Sequence, residues 1–228
     1  MTSPAHPPPD PAGEPFVPAL RFHALTRLYD AVLSLTLREA HHKRLLIEQA
    51  AITAGQAVLD LGCGTGTLTR MIKSAHPGAS VTGLDLDPEA LAIARRKAAD
   101  AGLDITFARG SATAPPFEPG SFDRVLTSLM LHHLLREQKQ RALRAACSLL
   151  RPGGELHVLD WGRPQDPLMK LAFIPVRLLD GFAPTRDNAR GNLPALLREA
   201  GFVDVEETRH ARTVYGTLTH LCARRPEG

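Results

Sequence analysis

Apolar positions follow two different periods along the chain, and the switches between them outline a fold. From Ala19 the spacing is helical: Leu25, Leu28, Tyr29, Val32 and Thr36 fall at i, i+3, i+4, i+7 and i+11, and the helix resumes over 45–50. After Gly55 the pattern changes to a short buried run, Ala57-Val-Leu-Asp-Leu61. A glycine turn follows, then a helix from Thr67 with Leu68, Met71 and Ile72 on one face. The unit repeats. Residues 81–85 read as a second strand, Asp87-Pro88 caps a helix carrying Leu91, Ala94 and Ala98, and Gly102 ends it. Further strands are expected over 105–107, 122–127 and, after the turn Arg151-Pro-Gly-Gly154, over 156–160. The helix between the last two carries Leu143, Ala146, Cys147 and Leu150. Strands alternating with helices at this spacing predict an α/β domain whose parallel sheet is covered on both faces. A last helix with Leu193, Leu196, Leu197 and Ala200 is closed by Gly201. The β-like runs at 202–207 and 213–223 lie so close in sequence that they must pair antiparallel.

Composition narrows the class. A chain of 228 residues fits one domain with a sizeable core, and 43% hydrophobic with 22% charged residues excludes collagen-like, mucin-like and wholly disordered chains. Residues 1–18 are too rich in proline to repay ordering, so a disordered tail over 1–18 and one domain over 19–228 are expected. No apolar stretch reaches membrane-spanning length and no basic leader precedes an apolar core, which predicts neither span nor signal peptide and a cytoplasmic location. Cys63, Cys147 and Cys222 are widely spaced and odd in number, so free thiols are expected, with no metal site. The net charge of +3 arises from 22 arginines and 5 lysines dispersed among 24 acids, which reads as solubility and not as a nucleic-acid surface.

The chemistry concentrates where the first strand becomes a helix. Asp60-Leu-Gly62-Cys-Gly64-Thr-Gly66 sits where an open α/β sheet opens a ligand crevice, and such a run arises by chance in only ~0.4% of chains of this length. Its glycine spacing departs from the Gly-x-Gly-x-x-Gly that seats a pyrophosphate, which disfavours a dinucleotide. Asp85 closes the second strand beside this turn, where a carboxylate can accept both hydroxyls of a ribose. Cys63, although near a helix start, is expected to be inert.

Val58-Leu-Asp-Leu-Gly-Cys-Gly-Thr-Gly66, Val81-Thr-Gly-Leu-Asp85, Phe122-Asp-Arg-Val, Leu131-His-His-Leu134 and Leu150-Arg-Pro-Gly-Gly154 together resemble class I S-adenosylmethionine-dependent methyltransferases. Arg27-Leu-Tyr-Asp30 and the Gly-Thr-Gly-Thr form of the turn resemble the ubiquinone and menaquinone biosynthesis group within them. The resemblance implies a Rossmann-like three-layer sandwich with a seven-stranded sheet of order 3-2-1-4-5-7-6, only strand 7 being antiparallel. It also implies S-adenosylmethionine as cofactor. Within the turn that includes Asp60 and Cys63, Gly62 and Gly64 would underlie its amino acid part, with Asp85 on the ribose and Leu86 beside the adenine. Ser128 would offer backbone near the methionine amino group, and Tyr29 either closes over the cofactor or is core. One departure is Gly110-Ser111-Ala112, where relatives often carry Gly-Asp-Ala; Ser111 replaces a carboxylate on the adenine amino group with a shorter neutral partner.

Methyl transfer from a sulfonium needs in-line alignment and, for some acceptors, removal of a proton. His132 and His133 are expected to begin the helix after the fourth strand, at the crevice edge, with His133 ahead as general base and backbone bonding as the alternative. The connection over 161–192 is long and apolar, and with the N-terminal helices over 19–54 it is expected to cap the acceptor. Phe173 and Phe182 are its expected wall residues, and a homodimer contact is the alternative use. Asp160, Trp161 and Arg163 at its entrance are candidate substrate contacts, with Arg163 paired to Asp166 as the alternative. The family's nucleic-acid and arginine methyltransferase patterns are absent after the fourth strand, which leaves a small-molecule acceptor. A non-catalytic cofactor-binding module and a nicotinamide-dependent oxidoreductase are the competing classes.

Overall fold

The computed structural model describes residues 39–227. The tail over 1–18 and the helical stripe around Tyr29 lie outside the described residues. Helix α1 (Glu39–Ala50) leads into β1 (Ala57–Leu61), α2 (Thr67–Ala75), β2 (Ser80–Asp85), α3 (Pro88–Asp100), β3 (Thr106–Arg109) and β4 (Phe122–Ser128). A 3-10 turn (Leu131–His133), α4 (Arg136–Leu149) and β5 (Leu150–Trp161) follow. The long connection then forms α5 (Pro167–Ala172), α6 (Ile174–Asp180) and α7 (Arg186–Arg190), and α8 (Leu193–Glu199) precedes β6 (Val203–Thr213) and β7 (Gly216–Arg224).

The seven strands form one sheet of order 3-2-1-4-5-7-6, with β7 antiparallel to both β5 and β6. This is the expected order. Side chains alternate between faces, so neighbours on β1 enter different cores. Leu59 packs with α4 and α8 through Leu143, Leu196 and Leu197. Val58 packs with α1 and α2 through Leu46, Leu68 and Ile72. Helices therefore cover both faces. In register, Asp60 pairs with Gly83 of β2 and Leu126 of β4, which brings the carboxyl ends of these strands, and the loops after them, to one edge.

Three boundaries differ from expectation. The third strand lies slightly later, at Thr106–Arg109, in register with Thr82 to Asp85. The expected turn at 151–154 is inside β5, because Gly153 N–H donates to Arg225 O (3.1 Å) and Gly154 O accepts from Arg225 N–H (2.8 Å). Leu150 consequently belongs to the strand. The β6 strand continues to Thr213, and its exposed edge residues leave no apolar signal between 208 and 212.

Candidate active site

The turn after β1 is held by backbone bonds to β2. The N–H groups of Gly62 and Cys63 both donate to Leu84 O, at 2.8 and 2.9 Å, and Gly64 N–H donates to Asp85 Oδ2 at 2.7 Å. Gly62 is left-handed (φ 77°), and a Cβ there would stand 2.4 Å from Met130 Cγ. Gly64 (φ 51°) differs: a Cβ there would meet nothing within 4 Å, so open space faces the turn. Asp85 Oδ1 accepts a second backbone bond from Asp87 N–H at 2.9 Å. Burial pushes its pKa up, while these N–H groups work to hold the charge.

Asp60 lies beneath the turn, 1% exposed, with Oδ2 accepting from Thr69 Oγ1 at 2.6 Å. Burial raises its pKa to about 6, and Thr69 and then Lys43 oppose the rise. Its carboxylate is directed into the protein, toward α2. Cys63 is buried, and burial followed by the charges of Asp60 and Asp85 drives its thiol pKa far up, in agreement with an inert thiol. All three cysteines are free.

The remaining residues expected at the cofactor stand at or just after strand ends. Leu86 follows β2, half-buried, and its carbonyl accepts from Arg109 Nε at 3.4 Å. Ser111 is buried in a bridge to Ala114, with Oγ 2.9 Å from Thr113 Oγ1, and Ala112 packs on the core beside it. Ser128 ends β4 beside Leu159, and the next residue, Leu129, is held left-handed (φ 54°) while its N–H donates to Leu159 O at 2.8 Å. Tyr29 lies outside the described residues.

A second cluster forms at the ends of β4 and β5. His132 and His133 belong to the 3-10 turn and not to the helix, which starts only at Arg136. The reason is a buried carboxylate: Asp160 Oδ2 accepts from Leu131 N–H at 2.8 Å, and Oδ1 stands 2.8 Å from His132 Nδ1. Asp160 also accepts from Trp161 N–H (2.7 Å) and Asn188 Nδ2 (3.1 Å), so four donors fix it. Burial works against its charge, but His132 and these bonds hold its pKa below the usual carboxylate range. The His132 pKa is raised on balance, burial being outweighed by Asp160. Its Nε2 faces Asp180 Oδ2 at 3.6 Å. The His133 ring packs against it, tilted by 40° with centroids 4.0 Å apart, and His133 Nδ1 is 3.8 Å from Asp180 Oδ1. His133 keeps 38% of its side chain exposed, yet loss of water around the ring and then the neighbouring His132 hold its pKa well below the histidine range. Met130, which abuts Gly62, immediately precedes this turn and so joins the two clusters.

The entrance candidates resolve differently. Asp160 and Trp161 are fully buried, so both support the site from within and neither offers a surface to substrate. Arg163 is exposed, and Asp166 pairs with Arg212 in place of Arg163. Phe173 is 2% exposed and packs on Trp161 with centroids 5.3 Å apart, so it is chiefly core, its remaining edge lining a cavity with Arg163 and Arg177; Phe182 is 50% exposed beneath Arg177. The segment is apolar on two sides, which is why one sequence run feeds both core and surface.

A family model described as a methyltransferase domain matches residues 58–154, the span from β1 into β5. An uncharacterized methyltransferase of Synechocystis sp. is 35% identical over 197 residues, covering 85% of this chain and 87% of that protein. The chain belongs to the S-adenosylmethionine-dependent methyltransferase family. A demethylmenaquinone methyltransferase of Thermus thermophilus is 38% identical over 146 residues, but this methyltransferase spans only 63% of that relative's length. Phosphoethanolamine N-methyltransferase 2 of Haemonchus contortus, solved in complex with S-adenosyl-L-methionine, shares the fold at a TM-score of 0.64 and 19% identity, over 82% of this chain and 52% of that one. S-adenosylmethionine is the family's methyl donor, and the open space at Gly64 beside the doubly bonded Asp85 carboxylate fits a nucleoside carrying an amino acid.

Sequence reasoning missed three residues that the structure packs around the histidine turn. Asp180 and Asn188 lie in the long connection, where the sequence points only to the apolar run and the entrance residues. Lys139 is fully buried on α4, donating to Leu134 O and Pro184 O at 2.6 and 2.5 Å and so tying the histidine turn to the connection. Burial lowers its pKa to about 8 against the pull of Asp160 and Asp187. A lone lysine in a helical pattern gives no sign of such burial.

Proposed function

We propose that this methyltransferase moves a methyl group from S-adenosylmethionine to a small aromatic or apolar acceptor, leaving S-adenosylhomocysteine. The observation that carries the reading is the Gly64 to Asp85 bond of 2.7 Å, which sets a carboxylate and an open glycine turn side by side at the strand ends. When bound, the cofactor supplies an electrophilic methyl on a sulfonium. In this reading the backbone of Gly62 and Gly64 lies under its amino acid part, Asp60 and Cys63 hold that turn from within, and the Ser128 carbonyl meets its amino group. Asp85 accepts the ribose hydroxyls, Leu86 flanks the adenine, and Ser111 with Ala112 lines the adenine's amino edge.

The acceptor side falls to the histidine turn. His133, partly exposed, meets the acceptor and receives its proton, a step that its lowered pKa opposes and that Asp180 at 3.8 Å favours by offsetting the charge that forms. His132, fixed by Asp160, positions that ring by packing against it. The connection over 161–192 and the N-terminal helices over 19–54 cap the acceptor. Phe182, half exposed and two residues from Asp180, favours an apolar molecule. The name of the Thermus relative points the same way, toward a quinone-type ring. The reading places the reaction in the cytoplasm.

Calorimetry with S-adenosylhomocysteine and NAD separates the classes. Micromolar binding of S-adenosylhomocysteine and none of NAD is expected; the reverse pattern would refute the assignment.

A further inference from the structure

The connection between β5 and α8 separates its charges by sign. Its three acids are all occupied: Asp166 by Arg212, Asp180 by the two histidines, and Asp187 by Arg136 at 2.8 Å. Its five cations, Arg163, Lys170, Arg177, Arg186 and Arg190, all line one cavity of about 620 Å³. Their like charges share that volume with a single acid, and that acid is already paired.

Beside the cavity runs an apolar surface. Met169, Phe173 and Val176 hold α5 and α6 to the core, while Leu168, Leu171, Leu178 and Leu179 are 61–66% exposed and Phe182 is 50% exposed. At ~100° per residue, Lys170 and Arg177 each stand one position round the helix from Leu171 and Leu178. Each helix therefore presents, in order around its axis, a buried apolar edge, a cation and an exposed leucine. A helix apolar on two sides is covered by something, and a row of leucines edged by cations has the composition of a segment lying in a lipid interface.

We infer that α5–α7 form a docking site for a bilayer surface carrying anionic phospholipid. The leucines enter the acyl boundary, and the cavity's arginines and lysine meet the phosphate groups. Asp180, on the core side of α6, leaves the histidine turn behind the docked face, so an apolar acceptor reaches the crevice without crossing water. The inference concerns the outer face of the connection and holds whatever the acceptor is.

Vesicle flotation of the intact protein tests it. Binding to phosphatidylcholine vesicles containing phosphatidylglycerol is expected, falling with salt and weaker on phosphatidylcholine alone. The pair Leu171→Ser with Leu178→Ser and the pair Arg186→Gln with Arg190→Gln should each weaken it by about tenfold or more, at unchanged thermal midpoint. No binding to anionic vesicles, or equal binding by all variants, overturns the inference. Hydroxyl-radical footprinting without vesicles gives a second route to rejection. If Leu171 and Leu178 are already shielded in a monomer, the chain's own N-terminal residues cover the face; if they are shielded in a dimer, a second copy does.

Discussion

His132 Nδ1 lies 2.8 Å from Asp160 Oδ1, and this one contact joins the turn after β4 to the end of β5. Both groups are almost fully buried, so each depends on the other to remain charged. His132 has a raised pKa, and its share of stability is complete below the unfolded value near 6.5 and is lost as pH climbs through the folded one. Asp160 has a lowered pKa, and its share is complete above about 4 and is lost on acidification through the folded value. The pair therefore stabilises most between about pH 4 and 6.5. Asp160→Asn should cost about 3 kcal/mol in that window and progressively less at alkaline pH. Denaturant melts of both proteins from pH 4.5 to 9 check this, and a cost independent of pH would remove the ion pair from the account.

Gly62 faces Met130 across a gap that a methyl group cannot enter. Gly62→Ala should lose about 3 kcal/mol, part from the left-handed backbone and part from the clash with Met130. In a Met130→Ala background the clash with Cγ is gone and only the 3.1 Å contact with Cβ remains, so the loss should fall toward the backbone part of about 1 to 2 kcal/mol. Additive losses in the double-mutant cycle would show that the contact carries no coupling.

On the proposed reading, donor binding turns on Asp85. Asp85→Ala removes a charged acceptor and frees Gly64 N–H, so S-adenosylhomocysteine affinity should fall by about 1.5 to 3 kcal/mol, while Asp85→Asn, which keeps one acceptor, should lose less. Calorimetry of the folded variants is the check, and unchanged affinity in both would exclude Asp85 from the site.

Much of this was readable from the sequence because the information is local. The glycine turn proposed to hold the donor lies on one strand, one turn and the end of the next strand, so Gly62, Gly64 and Asp85 come together through a single crossover. The histidine cluster is different. His132, Asp160, Asp180 and Asn188 meet only after β4, β5 and the connection have packed, and nothing in the residues around Asp180 signals that it faces a histidine. Phe173 shows a related ambiguity: an apolar residue in a greasy run looks the same whether it turns to Trp161 or to a cavity, and this one touches both. The β6 strand extends beyond its expected limit because an exposed edge strand needs no apolar alternation.

The central claim is that the open turn at Gly64 and the histidine turn at the ends of β4 and β5 serve one methyl transfer. Incubating the protein with methyl-labelled S-adenosylmethionine and reduced quinone-type or simple phenolic acceptors, then extracting into organic solvent, measures it directly. The account predicts labelled apolar product formed together with S-adenosylhomocysteine, lost in Asp85→Ala through donor binding and reduced by about 10²-fold in kcat for His133→Ala with donor affinity intact. Tight donor binding with no label transferred to any apolar acceptor, or transfer unaffected by His133→Ala, would contradict it.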